Sequence, residues 1–149
     1  MRVLGIDLGR RRVGLAISDV SGTLARPLLT LPVGGAADAV ERVIAEVQRL
    51  AAEDDGLSAI VVGMPARLDG TPTTETPHAQ RFVEELKRRA SVPVLIEGER
   101  LSSREAESRL AVGEKNWRRR KAKLDAAAAA VILQDYLDRR TAAQDGRDP

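Results

Sequence analysis

The sequence contains no cysteine and a single histidine, His78, and only 2% of its residues are aromatic. Without cysteine there can be no disulfide, thiol nucleophile or cysteine-ligated zinc. One histidine excludes a multi-histidine metal centre within the chain, and a Ser-His-Asp triad would have to rest on His78 alone. Long apolar runs are missing as well. The longest uncharged one, residues 126–133, falls far short of the roughly 20 residues that span a bilayer. The apolar stretch after Arg2 breaks at Asp7 and does not read as a signal peptide, so the expected location is cytoplasmic, away from membranes. What remains open is chemistry done by carboxylates, hydroxyls, backbone amides and bound hard metals.

The 149 residues are 43% hydrophobic and 31% charged, which suits one globular domain with a real core. The expected division is a folded unit over residues 1–140 and a flexible polar tail over 141–149. The net charge of +2 says little, but its distribution says more. Lys115, Arg118, Arg119, Arg120, Lys121 and Lys123 form a basic cluster around Trp117, and Arg10, Arg11 and Arg12 form another. Glu41, Glu46, Glu53, Asp54 and Asp55 make the segment after Gly35 acidic. This asymmetry fits a surface that attracts polyanions on one side, although a merely solvated face gives the same pattern.

Residues 2–8 and 13–18 read as two strands joined by a short turn, hence an antiparallel hairpin. Residues 24–31 form a third strand, placed at an edge because Pro27 interrupts it. Val40, Val43, Ile44, Val47, Leu50 and Ala51 then recur at helical spacing. The continuous apolar run over 58–63 predicts a strand buried on both faces. A Thr- and Pro-rich loop over 64–77 follows, and Ala79, Phe82, Val83, Leu86 and Ala90 mark the next helix. Residues 92–96 are the fifth strand, Ser102 with Glu105 opens another helix, and a last helix runs from Lys123 to about Arg140. The fold class expected from this order is α/β, with a five-stranded mixed sheet and helices on both faces. An antiparallel three-strand meander precedes the parallel strands, the order of ribonuclease H-like folds. A dinucleotide-binding fold would begin βαβ, and no G-x-G-x-x-G opens a helix here.

Three acids stand out. Asp7 interrupts an apolar strand, and a buried carboxylate must be paired, exposed at the strand end or bound to metal. Glu99 is expected just past the fifth strand, at the end of the sheet where ligands gather, with Glu97 on the same face if the strand persists. Asp125 shares a helical face with Ala128, Ala129 and Ile132 and is aimed at the sheet. Each has a plainer reading: turn amides for Asp7, an ion pair with Arg100 for Glu99, the helix dipole for Asp125. Together with the basic clusters they fit phosphodiester hydrolysis with two Mg²⁺ or Mn²⁺ ions held about 4 Å apart by carboxylates.

The run Gly5-Ile-Asp-Leu-Gly-Arg-Arg-Arg-Val-Gly-Leu-Ala-Ile-Ser-Asp19 closely resembles the opening of the YqgF/RuvX family. Val62-Gly-Met-Pro65, Leu68-Asp-Gly70, Glu99-Arg-Leu-Ser-Ser103 and Leu124-Asp-Ala-Ala-Ala-Ala-Ala-Val-Ile-Leu-Gln134 continue the match in family order. The resemblance implies a ribonuclease H-like, metal-dependent nuclease that matures the 5′ end of pre-16S rRNA or resolves Holliday junctions. It implies catalytic and metal-holding roles for Asp7, Glu99 and Asp125. Arg11 and Arg12 would contact phosphates, and Arg118, Arg119, Arg120 and Lys121 would add to the nucleic-acid surface. The expected partners are structured RNA or branched DNA, and the expected assembly is a monomer or homodimer. Gly98 departs from the family's usual Asp before the Glu, with Glu97 as the possible compensating acid. Arg10 replaces a usual Thr. Two rivals stand: an ATP-binding protein of the sugar-kinase type, whose phosphate loop also reads D-x-G, and a non-catalytic nucleic-acid-binding module using Trp117 and the basic residues.

Overall fold

The computed structural model describes residues 1–65, 77–99 and 117–145. Strands β1 (Arg2–Leu8), β2 (Arg12–Ser18) and β3 (Ala25–Pro32) form the antiparallel meander. Helix α1 (Ala36–Ala52), strand β4 (Leu57–Pro65), helix α2 (Pro77–Arg89) and strand β5 (Val94–Glu99) follow. The last element is helix α3, Trp117–Asp145. The five strands lie in the order β3-β2-β1-β4-β5, with β1, β4 and β5 parallel and β3 at an edge. The helix expected to open at Ser102 and most of the loop over 64–77 lie outside the described residues.

The alternation of side chains along β1 divides the core in two. Leu4 and Ile6 point to one face, where Val40, Val43, Ile44 and Val47 of α1 and Phe82, Val83 and Leu86 of α2 cover them. The helical spacing of these residues is what the sequence shows, and all of them are buried. Val3 points to the other face, where it meets Ala129, Ile132, Leu133 and Leu137 of α3. Gly5 lies on that face too: a Cβ there would stand 2.7 Å from the Leu133 Cβ, so the helix rests on bare backbone. The alanines of α3 and the glycines of the sheet together set this close approach.

Three boundaries differ from those expected. Strand β5 reaches Glu99, so Glu97 and Glu99 lie within the strand instead of beyond it. Helix α3 begins at Trp117, which puts Arg118, Arg119, Arg120 and Lys121 in its first turns instead of before it. It also continues past the expected end near Arg140 to Asp145. Between Arg140 and Asp145 no glycine or proline ends the helix; Gly146 is the first stop residue. Among the described residues no helix is long and apolar enough to cross a membrane.

α3 is anchored at the end of the sheet where β2 turns into β3. The Ala25 N–H donates to Gln134 Oε1 at 2.9 Å, and Gln134 Nε2 donates to the Thr23 carbonyl at 2.9 Å. Asp19 orders that turn by accepting from the N–H groups of Thr23 and Leu24 at 2.8 and 3.0 Å. From there α3 runs back across the sheet toward the C-terminal end of β1. On the opposite face Arg2 is buried, and its guanidinium donates to the carbonyls of Leu50 and Gly56, tying β1 to the end of α1.

Candidate active site

Asp7 is the penultimate residue of β1, half-buried, at the C-terminal end of the parallel strands. Its neighbours across the sheet are Gly14 on β2 and Gly63 on β4. By alternation with Val3 and Gly5 it belongs to the α3 face. α3 approaches Gly14 more closely than it does Gly5. A Cβ on Gly14 would lie 2.0 Å from the Asp125 carbonyl oxygen and 2.3 Å from its carbonyl carbon. Directly opposed residues in an antiparallel pair stand about 4.5–5.5 Å apart. The backbone of Asp125 therefore sits one strand spacing from Asp7, and the fold brings together acids from opposite ends of the chain.

Helical geometry explains why Asp125 faces inward. Ala128, Ala129 and Ile132, which share its face, are all buried, as their spacing predicts. Asp125 itself is 24% exposed, and its Oδ2 lies 2.9 Å from Nε of Arg12. Arg12 opens β2, and its carbonyl accepts from the Gly9 N–H at 3.0 Å to close the β1–β2 turn. Arg11 beside it is exposed. Arg12, which the resemblance places on a phosphate, is here ion-paired with a carboxylate from α3, a pairing invisible in the sequence because the partners are so far apart in it.

Glu99 ends β5 in register with Pro65, with β4 between it and β1. Its side chain, and those of residues 117–124 including Trp117, lie outside the described residues. Gly98, where the family usually has Asp, lies in register with Met64. Glu97 pairs in register with Gly63, hence in the same cross-strand row and on the same face as Asp7. Its carboxylate is buried and ion-paired with Arg139 of α3.

Burial pushes the Glu97 carboxyl above the usual range, Arg139 opposes this, and Asp135 adds to it. A raised acid favours the folded state most when protonated. Its contribution is complete below the unfolded-state value and is lost as pH rises through the folded-state value. Glu97→Gln is therefore expected to flatten the decline of stability with rising pH, read by urea unfolding from mildly acidic to neutral pH. Identical profiles for the two proteins would contradict that origin.

Among the described residues no three acids or imidazoles converge on one point. Asp7 and Asp125 still fit a hard divalent cation: both donors are oxygen, and the cross-strand neighbours of Asp7, Gly14 and Gly63, carry no side chain of their own.

The family profile described as RuvX, Holliday junction resolvase, matches residues 1–139. The chain belongs to the RuvX family. Within its curated membership, a protein of Anaeromyxobacter dehalogenans is 44% identical over 94% of this chain and 98% of its own. One of Chloroflexus aggregans is 42% identical over 93% and 94%. Both carry the name "Putative pre-16S rRNA nuclease". Among solved structures, Thermus thermophilus RuvC in complex with a Holliday junction substrate is similar over 95% of this chain and 96% of its own. With 21% identity and a TM-score of 0.53, that likeness supports the ribonuclease H-like fold alone. The RuvX opening motif thus covers β1, the turn and β2, the elements that carry Asp7, Arg12 and Gly14.

The sequence reading missed Gly14. A signal for it existed, since a lone glycine inside an apolar strand marks a close approach by another backbone.

Proposed function

We propose that this RuvX protein is a metal-dependent nuclease that processes the 5′ end of pre-16S rRNA, with Asp7, Asp125 and Glu99 as its catalytic acids. The observation that carries this reading is the seating of the Asp125 backbone on Gly14, the cross-strand neighbour of Asp7. Two acids then share the C-terminal end of the sheet's parallel strands, where open α/β sheets bind their ligands. The relatives' printed name supports the RNA substrate.

Asp7 and Asp125, joined by Glu99 from β5, would hold Mg²⁺ or Mn²⁺. When bound, such ions supply Lewis acidity toward the scissile phosphate and offset the charge that builds on its oxygens. The chain's own groups do the rest. β1 and α3 fix the two carboxylates so that they need not reorganise during the reaction. One carboxylate orients the attacking water, and Arg11 meets the incoming phosphates from the exposed turn. Arg118, Arg119, Arg120 and Lys121 extend this surface along the first turns of α3. Cations at a helix N-terminus oppose the helix dipole, and a bound polyanion relieves that opposition.

Reversal of Arg119, Arg120 and Lys121 to glutamate is expected to weaken binding to all sequences alike. It should lower the slope of log K against log salt by about 2–3, as loss of that many phosphate contacts requires. Unchanged affinity at low salt would place the binding surface elsewhere.

The function itself is tested by offering a pre-16S 5′-leader RNA and a four-way DNA junction in parallel, with Mn²⁺ or Mg²⁺. Preferential metal-dependent cutting of the leader is expected. Preference for the junction would make the protein a resolvase, and a stable monomer would count against that role, since symmetric cutting needs two sites. Binding without cutting of either would make it a non-catalytic nucleic-acid-binding module.

A further inference from the structure

Arg12 is a cation set directly against a proposed catalytic acid. Its Nε and the Asp125 Oδ2 are both withdrawn from solvent, yet the two side chains remain 31% and 24% exposed. A ligand arriving from solution can therefore reach the pair. The two sides of the pair differ in freedom. Asp125 is held by a helix whose backbone already presses on Gly14 and whose middle is tied down through Gln134. The backbone of Arg12 is equally fixed, by the turn hydrogen bond from Gly9 and by register with Pro32. Its guanidinium, though, sits at the end of a flexible stem. If the pair opens, it is the guanidinium that moves.

Resting on the reading of Asp125 as a metal-holding acid, we infer that Arg12 is a movable counter-ion that couples metal to nucleic acid. In the metal-free protein it neutralises Asp125. A divalent cation on Asp125 repels the guanidinium and competes for the same carboxylate oxygens, so Arg12 turns outward. It is then free to pair with a phosphate at the mouth of the site, beside the exposed Arg11. Arg12 thus opposes binding of metal alone and favours nucleic acid once the metal is in place. By linkage, bound nucleic acid holds Arg12 away from Asp125 and strengthens metal binding in return.

This arrangement has a sign pattern that neither a static ion pair nor a constant phosphate contact shares. Mn²⁺ alone is titrated calorimetrically into wild type, Arg12→Gln and Arg12→Lys. A labelled RNA hairpin is titrated with each protein in EDTA and in Ca²⁺, and thermal melts confirm that the variants fold. Arg12→Gln is expected to bind Mn²⁺ about tenfold more tightly than wild type, a coupling of ordinary size, with Arg12→Lys close to wild type. The same Arg12→Gln change should leave RNA affinity in EDTA within about twofold and lower it about tenfold in Ca²⁺. Unchanged or weaker Mn²⁺ binding by folded Arg12→Gln would overturn the inference and make the pair a fixed brace for Asp125. Equal loss of RNA affinity in EDTA and Ca²⁺ would overturn it in favour of a constant phosphate contact. Absence of Mn²⁺ binding by the wild type would remove the metal site and the inference together, a result distinct from either of these.

Discussion

Asp7→Asn is expected to lower cleavage by a factor on the order of 10²–10³ while leaving the fold and metal-free nucleic-acid binding in place, the cost seen when one preorganised electrostatic group is lost from an active site. Asparagine is close in shape, so β1 keeps its register between β2 and β4. What changes is charge: a neutral amide is a poor ligand for a hard divalent ion. Removing a negative charge from beside a polyanion cannot weaken the attraction between them, so RNA affinity in EDTA should hold or rise at low salt. Single-turnover cleavage and anisotropy on the same preparations separate the two effects. Loss of cutting together with loss of binding in EDTA would mean that Asp7 supports the local structure and not the chemistry.

The second large effect is expected from Gly14→Ala. The added methyl would meet the carbonyl group of Asp125 at 2.0 Å and 2.3 Å and the Ala126 nitrogen at 3.0 Å, all backbone atoms that cannot rotate aside. α3 must lift from the sheet at its catalytic end. Overpacking of this kind costs about 1–3 kcal/mol. At roughly 2–4 °C per kcal/mol for a chain of this size, melting should fall by about 2–12 °C. Activity should fall further than stability, because a displacement of about 1 Å in a reacting group can cost on the order of 10² in rate. Gly5→Ala is the control. It presses on Leu133 in the middle of α3, with the nearest atom a side-chain Cβ at 2.7 Å. It should cost comparable stability and much less activity. Equal activity losses at matched stability would show that Gly14 serves packing in general and not the placement of Asp125.

These contrasts mark how far the residues alone reveal the site. The hairpin, the edge position of β3 and the faces of α1 and α2 are legible because burial imposes period two on strands and period 3.6 on helices. Asp7 is legible because a carboxylate in an apolar strand demands an explanation. Asp125 is legible because helical spacing puts it on the buried alanine face. The pairings of Arg12 with Asp125 and of Glu97 with Arg139 are not, since each joins residues distant in sequence through the docking of α3. Glu97 is instructive in this respect. Its position on β5 is compatible with a spare ligand beside Gly98, and only the folded chain shows its carboxylate bound to α3. Boundaries failed where stop signals are weak. Val94–Glu99 includes a glycine that does not end the strand, and the Ala-rich end of α3 has no breaker before Gly146.

A titration of Mn²⁺ into the wild type, Asp7→Asn and Asp125→Asn, followed by the electron paramagnetic resonance of the free ion, addresses the site most directly. Saturable binding by the wild type that is lost in both variants is the expected result, and it would join the acids of β1 and α3 in one metal-holding centre. Saturable binding left unchanged in both folded variants would contradict it, and the meeting of Asp7 and Asp125 over Gly14 would then be a packing contact without a catalytic role.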